Sequence, residues 1–212
     1  MTRAPSWCGV ILAAGESTRM GSDKALLPWP PVVAGASSVG ETFISAAIRA
    51  LSPFTDQVVV VAGKNEANLA PAVYAAGGSL VTNPAPERGQ FSSLLVGLRE
   101  VPNQGRDAAL VTLVDRPPAN AATLRTLRAA FESAPFEVWV VVPEYNGRHG
   151  HPFLAGREMI EAFLTAPPAS TARDVEHRHQ QHILYVSVND PHVTVNVNTL
   201  EDYAALSNTQ MT

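Results

Sequence analysis

Short apolar runs alternate with longer stretches of mixed polarity along most of the chain. The runs Trp7–Ala13, Gln57–Ala62, Leu80–Thr82, Ala108–Val114 and Val138–Val142 predict strands, with two more at Ile183–Val188 and Val193–Val197. Val58-Val59-Val60-Val61 is apolar at every position and not at alternate ones, the pattern of a strand covered on both faces. Between the runs, Glu41–Leu51, Glu66–Ala76, Ser92–Val101, Ala121–Phe131, Arg157–Leu164 and Leu200–Leu206 predict helices. In Ser92–Val101 the apolar residues Leu94, Leu95, Leu98 and Val101 recur at helical spacing. This alternation implies a three-layer α/β/α sandwich around a mostly parallel, Rossmann-like sheet. Pro28–Gly40 and Ala166–Ser170 read as loops, and neither is long or polar enough for a linker. Residues 1–212 are therefore expected to form one domain.

Composition narrows the choice of partner. Fifteen Lys and Arg against 19 Asp and Glu give a net charge of −4, which disfavours nucleic-acid binding by a basic surface. A local basic pocket for a small phosphate compound remains compatible with that balance. Only Lys24 and Lys64 are lysines. The lone cysteine, Cys8, excludes an internal disulfide framework and any CxxC site. The N-terminal apolar run is short and leads straight into a glycine turn, unlike a signal peptide. No stretch approaches the roughly 20 apolar residues of a membrane span. A cytoplasmic protein is expected.

The first predicted strand runs into Leu12-Ala13-Ala14-Gly15-Glu16-Ser17-Thr18-Arg19-Met20-Gly21-Ser22-Asp23-Lys24. A loop of glycines and small residues after strand one offers backbone N–H groups at the carboxyl edge of the sheet, where open α/β folds bind ligands. Arg19 supplies a planar fork for phosphate oxygens and Lys24 a compact positive charge. Five residues separate Gly15 from Gly21 where a P-loop has four, and Gly15-Glu16-Ser17 breaks the dinucleotide fingerprint. Farther on, Asn83-Pro84 stops a strand, Gly89 loosens a turn, and Ser92 is suited to cap the next helix, whose N-terminus attracts anions. Asp115 ends an apolar strand at the ligand edge, where a carboxylate oxygen suits Mg²⁺. The histidines of Glu176-His177-Arg178-His179-Gln180-Gln181-His182 invite a zinc reading. His177 would not share a helical face with His179 and His182, so a solvated helix end is expected instead.

Leu12–Lys24 resembles the LAAGxSxRMGxxK signature of the MobA-like nucleotidyltransferases, most closely the molybdenum cofactor cytidylyltransferase branch. The resemblance implies transfer of CMP from CTP to the phosphate of molybdopterin, with release of pyrophosphate. Ala14 stands where the guanylyltransferase branch usually has a second glycine, which favours a pyrimidine base. Ser17 and Asp23 stand where sugar-phosphate relatives usually have Gly and Pro. The nucleotide is then expected on Leu12, Ala13, Ala14, Gly15, Arg19 and Lys24. The resemblance adds Asn83, Gly89, Ser92 and Ser93 for the base and ribose. Lys24, on the α-phosphate, Arg19, on the β,γ-phosphates, and Asp115 would be the catalytic residues. Mg²⁺, replaceable by Mn²⁺, would lie on Asp115 and Asn198.

Gly150-His151-Pro152 matches the family's acceptor-facing G-H-P, so Gly150 and His151 are assigned to the acceptor. Arg173 joins them through a looser Gly-x-x-Arg match; for His149 a β-turn followed by an edge strand is preferred. The end of the chain departs from the pattern, because Val195-Asn196-Val197-Asn198-Thr199-Leu200 replaces D-x-D-T-P. The family reading also implies a molybdoenzyme or chaperone as a protein partner, with no membrane or nucleic acid. Guanylyl or sugar-phosphate transfer on the same fold is the alternative activity. The paired asparagines motivate a non-catalytic carrier of nucleotide or cofactor. An NAD-linked oxidoreductase has only the α/β pattern behind it.

Overall fold

The computed structural model describes residues 5–15, 23–31 and 41–209. In chain order the elements are β1 (Trp7–Leu12), the two-residue strands β2 (Pro28–Trp29) and β3 (Glu41–Thr42), α1 (Phe43–Leu51), β4 (Gln57–Ala62), α2 (Glu66–Ala75) and β5 (Ser79–Thr82). There follow α3 (Gln90–Asn103), β6 (Ala108–Leu113), α4 (Ala121–Ser133), β7 (Val140–Tyr145), β8 (Arg148–His149) and β9 (Phe153–Gly156). The chain continues through α5 (Arg157–Leu164), α6 (Ala172–Arg178), β10 (Ile183–Ser187) and α7 (Leu200–Thr209). The main sheet runs β10-β7-β9-β6-β1-β4-β5, with β8 added to β7. β1 pairs in parallel with both β4 and β6, while β9 is antiparallel to both of its neighbours.

The all-apolar strands follow from two cores. Val58 and Val60 of β4 join Ile11 beneath α1, α2 and α4, while Val59 and Val61 join Val10 and Leu12 beneath α3 and α5. Successive side chains of a strand point to opposite faces, so helices on both faces require apolar residues at every position. The chain visits β4 and β5 on one side of β1, then returns over α3 to β6 on the other. Such a reversal opens a crevice beyond the carboxyl ends of the strands.

Two elements depart from the sequence pattern. Val193–Val197 is not a strand: Pro191–Thr194 forms a 3₁₀ turn, after which the chain continues extended. Buried Asp190 starts this turn, accepting the His192 N–H at 3.0 Å and the Thr123 hydroxyl at 2.8 Å. The segment then bonds to loops at the sheet edge and not to a neighbouring strand, with Val197 N–H donating to the Asp115 carbonyl at 2.8 Å. Phe153–Gly156, after the Gly-His-Pro turn, is an interior strand whose Leu154 and Ala155 are fully buried. At four residues it is too short for its periodicity to be read.

α3 lies close on the sheet because Gly97 faces it. A Cβ there would stand 2.5 Å from Val10 Cγ1 and 2.9 Å from Val61 Cγ2. Gly97→Ala should therefore overpack the layer and cost about 1–3 kcal/mol. Urea unfolding measures this loss; an unchanged midpoint would contradict the close packing.

Candidate active site at the carboxyl edge of the sheet

A cleft of about 1180 Å³ opens above the ends of β1 and β6. Its floor at β1 comes from Leu12, Ala14 and Gly15. The carboxyl end of β1 is bonded on both sides, by Ala13 N–H to the Val61 carbonyl and by Val114 N–H to the Leu12 carbonyl. Arg19 belongs to residues 16–22 and lies outside the described residues.

Lys24 opens a 3₁₀ turn whose cap is Asp23. Its Nζ donates to the Val197 carbonyl at 2.8 Å and stands 4.0 Å from Asp115 Oδ2. The other oxygen, Asp115 Oδ1, is buried and accepts no hydrogen bond from the described residues. Both residues line the cleft.

The second wall begins at Asn83, which is 3% exposed. Its side-chain oxygen accepts the Ala85 N–H at 3.0 Å, and its amide donates to Ser92 Oγ at 2.8 Å and Ser93 Oγ at 3.0 Å. Ser92 is not the helix cap. α3 starts earlier, at Gln90, after Gly89 at φ +89°, and has no side-chain cap. The Ser92 hydroxyl instead donates to the Gly89 carbonyl at 2.7 Å. Asn83 thus fixes an uncapped helix N-terminus against the cleft, which suits it to anionic groups.

The third wall is sewn from distant segments. Gly150 passes so near Val193 that a Cβ would stand 2.1 Å from its carbonyl oxygen. His151 N–H donates to that same carbonyl at 2.9 Å. Arg116 Nη1 reaches the Val193 and Val195 carbonyls at 3.2 and 3.3 Å. Asn196 lines the cleft, whereas Asn198 is exposed, outside the lining, and donates its N–H to Asp202. Arg173, exposed on α6, also reaches the lining, but His149 stacks on Tyr185 away from it.

Residues 9–183 match the family described as MobA-like NTP transferase domain. The chain belongs to that family. It is 28% identical over 207 residues to "Probable molybdenum cofactor guanylyltransferase" of Rhodopirellula baltica, covering 93% of this chain and 90% of the relative. It is 29% identical over 216 residues to "Molybdenum cofactor guanylyltransferase" of Xanthomonas euvesicatoria pv. vesicatoria, covering 97% of each. Among solved structures it superposes on Rv0371c of Mycobacterium tuberculosis H37Rv with a TM-score of 0.77 and 26% identity, covering 97% of this chain and 98% of the other. A manganese complex of Rv0371c superposes at a TM-score of 0.73 and 23% identity, covering 96% and 99%.

Asp115 Oδ1 fits a divalent cation, because a buried carboxylate oxygen with no donor among the described residues keeps its lone pairs for a ligand. Among the described residues no group of three or more His, Cys, Asp or Glu is arranged as a metal cage. A MobA-like domain does not need one, since Mg²⁺ is commonly held by one or two carboxylates together with substrate phosphates.

Sequence reasoning missed the cleft residues Arg116, Arg88 and Arg99, and of the paired asparagines it put the metal on Asn198 where Asn196 is the one that lines the cleft. The solvated helix end expected within Glu176–His182 is the end of α6 at Arg178, but the start of that helix was missed, although Thr171-Ala172-Arg173-Asp174 carries a readable signal. Thr171 and Asp174 form a capping box, the Ser/Thr-x-x-acid pattern of a helix start.

Burial, and then the charge of Arg116, push the His151 pKa down to about 3. In this MobA-like site the ring is therefore neutral at ordinary pH, and its buried Nδ1 has no hydrogen-bond partner among the described residues. An unfolded histidine titrates near pH 6.5, so between about pH 6.5 and about pH 3 the unfolded chain holds more protons than the folded one. Stability from this group is complete above that window and is lost as pH falls through it. His151→Phe should flatten the acid limb by up to one proton, measured by urea unfolding from about pH 7 to about pH 4.5. An unchanged slope would show that His151 is not buried neutral.

Proposed function

We propose that the protein transfers a nucleoside monophosphate, from GTP or CTP, to the terminal phosphate of molybdopterin and releases pyrophosphate. The observation that carries this reading is the pairing of Lys24 with Asp115, whose second oxygen accepts no hydrogen bond from the described residues, at the carboxyl edge of a MobA-like sheet.

The attacking group is a phosphate monoester, anionic at neutral pH, so no protein base is needed. One of its oxygens bonds to the α-phosphorus of the nucleotide, and the bond to the bridging oxygen of pyrophosphate breaks. Catalysis then rests on alignment and on neutralising the charge of the crowded α-phosphoryl group. Lys24 bears on the α-phosphate and Arg19 on the β- and γ-phosphates. Asn83, Gly89, Ser92 and Ser93 shape the wall for base and ribose, with the α3 N-terminus available to phosphate oxygens. Asp115 would hold Mg²⁺ or Mn²⁺, helped by an amide oxygen from the Asn196–Asn198 segment. When bound, the cation supplies charge neutralisation on the triphosphate and pyrophosphate. Gly150, His151 and Arg173 form the acceptor side, where His151 hydrogen-bonds without carrying charge.

Two observations bear on the base. Ala14, at the cleft floor, supports CTP through the signature it completes. The two long-covering relatives, both named guanylyltransferases, support GTP. Pyrophosphate release measured with each of CTP, GTP, UTP and ATP, with Mg²⁺ and molybdopterin, decides between them. One of the first two should dominate; release with neither would contradict the reading.

Lys24→Ala should lower kcat about 10²- to 10³-fold, as removal of one transition-state donor does, with a smaller effect on nucleotide binding. Turnover equal to that of the wild type would remove Lys24 from the mechanism.

A further inference from the structure

Asn65 occupies the N-cap position of α2, where an asparagine side chain ordinarily accepts from the free N–H groups of its own helix. Here it makes no such bond. Its Oδ1 accepts the Gly63 N–H at 3.0 Å, just past β4. Its Nδ2 donates to the Ala13 carbonyl at 3.0 Å, just past β1, and to Asp23 Oδ2 at 2.7 Å. The amide has two hydrogens and two acceptors, so its donor capacity is matched.

The other oxygen of Asp23 accepts the Ala25 N–H at 3.1 Å. One carboxylate therefore caps the turn that carries Lys24 and is also tied to Asn65. The close approach of the two strand-end loops makes this reach feasible. Gly63 lies so near Ala14 that a Cβ would stand 2.8 Å from the Ala14 carbonyl oxygen.

The geometry points to Asn65 as a positioning residue for Lys24. Through Asp23 it fixes the base of the Lys24 side chain against the end of β1, while Val197 holds the tip. The inference rests on the proposed role of Lys24. Asn65 is absent from the cleft lining, so it acts through the turn and not on the substrate. Its bond to Asp23 is charge-assisted, stronger and shorter than a neutral one. Loss of that bond loosens the base of the side chain and removes no group that binds nucleotide, so that the ammonium, still tethered at Val197, is displaced from its place beside the α-phosphate.

The test compares kcat, KM and melting temperature for the wild type, Asn65→Ala, Asn65→Asp, the double variant Asp23→Asn/Asn65→Asp, and Lys24→Ala with and without Asn65→Ala. Asn65→Ala should lower kcat roughly 10- to 100-fold, the scale of a small misplacement, with little change in nucleotide KM. Asn65→Asp should be at least as damaging, because it sets two carboxylates face to face. Adding Asp23→Asn restores a donor to an acceptor and should recover a substantial part of kcat. In the Lys24→Ala background, Asn65→Ala should cost nothing further. Full kcat in Asn65→Ala, an equal loss without Lys24, or a double variant no better than Asn65→Asp would each overturn the inference.

A wild type that releases no pyrophosphate would defeat the proposed function and not this inference. The clamp is then read from the lysine ¹³Cε resonances, which are readily assigned in a chain with two lysines. Asn65→Ala should move the Lys24 signal and the double variant should return it toward its original position. A Lys24 signal unmoved by Asn65→Ala would overturn the inference.

Discussion

The Lys24 ammonium sits where three distant parts of the chain meet. It donates to a carbonyl 173 residues away and faces the carboxylate that ends β6. Two unit charges at this separation attract by about 1 kcal/mol in water and about 4 kcal/mol at an effective dielectric of about 20. The partial exposure of both side chains, 17% and 30%, places the pair toward the lower figure. The contact is therefore not a principal source of stability. Its consequence is geometric: a cation and an anion are held within reach of each other between strand ends. The surrounding bonds support that arrangement, from the Arg116 strut to the Val193–Val197 segment.

The sheet was legible in the sequence because both of its faces are covered. Val58–Val61 announces a buried parallel strand, and the observed strand matches the expected Gln57–Ala62. Arg157–Leu164 likewise coincides with its predicted helix. Short elements carried too few residues to show a period, which hid the interior place of β9 and the start of α6. Val193–Val197 misled for a different reason. Its alternating valines resemble a strand, but buried Asp190 and Pro191 impose a tight turn that composition does not weigh.

The candidate site was legible where one motif follows one strand, as with Leu12, Ala14, Gly15 and Lys24, with Asn83 to Ser93, and with Asp115. It was illegible where residues meet only through the fold. Asn65 reads as an ordinary helix cap, and its bonds span 52 and 42 residues. Arg116 reads only as the neighbour of Asp115, although its guanidinium supports the opposite wall. For Asn196 and Asn198, the change from the family's aspartates is visible in sequence, but which of them faces the cleft is visible only in space.

Lys24 and Asp115 are proposed together to form the triphosphate end of a nucleotide site. A crystal structure with Mn²⁺ and non-hydrolysable analogues of GTP and CTP tests it most directly. The account predicts the α-phosphate within hydrogen-bond reach of Lys24 Nζ and the metal on Asp115 Oδ1. A triphosphate seated elsewhere, or a metal remote from Asp115, would contradict it.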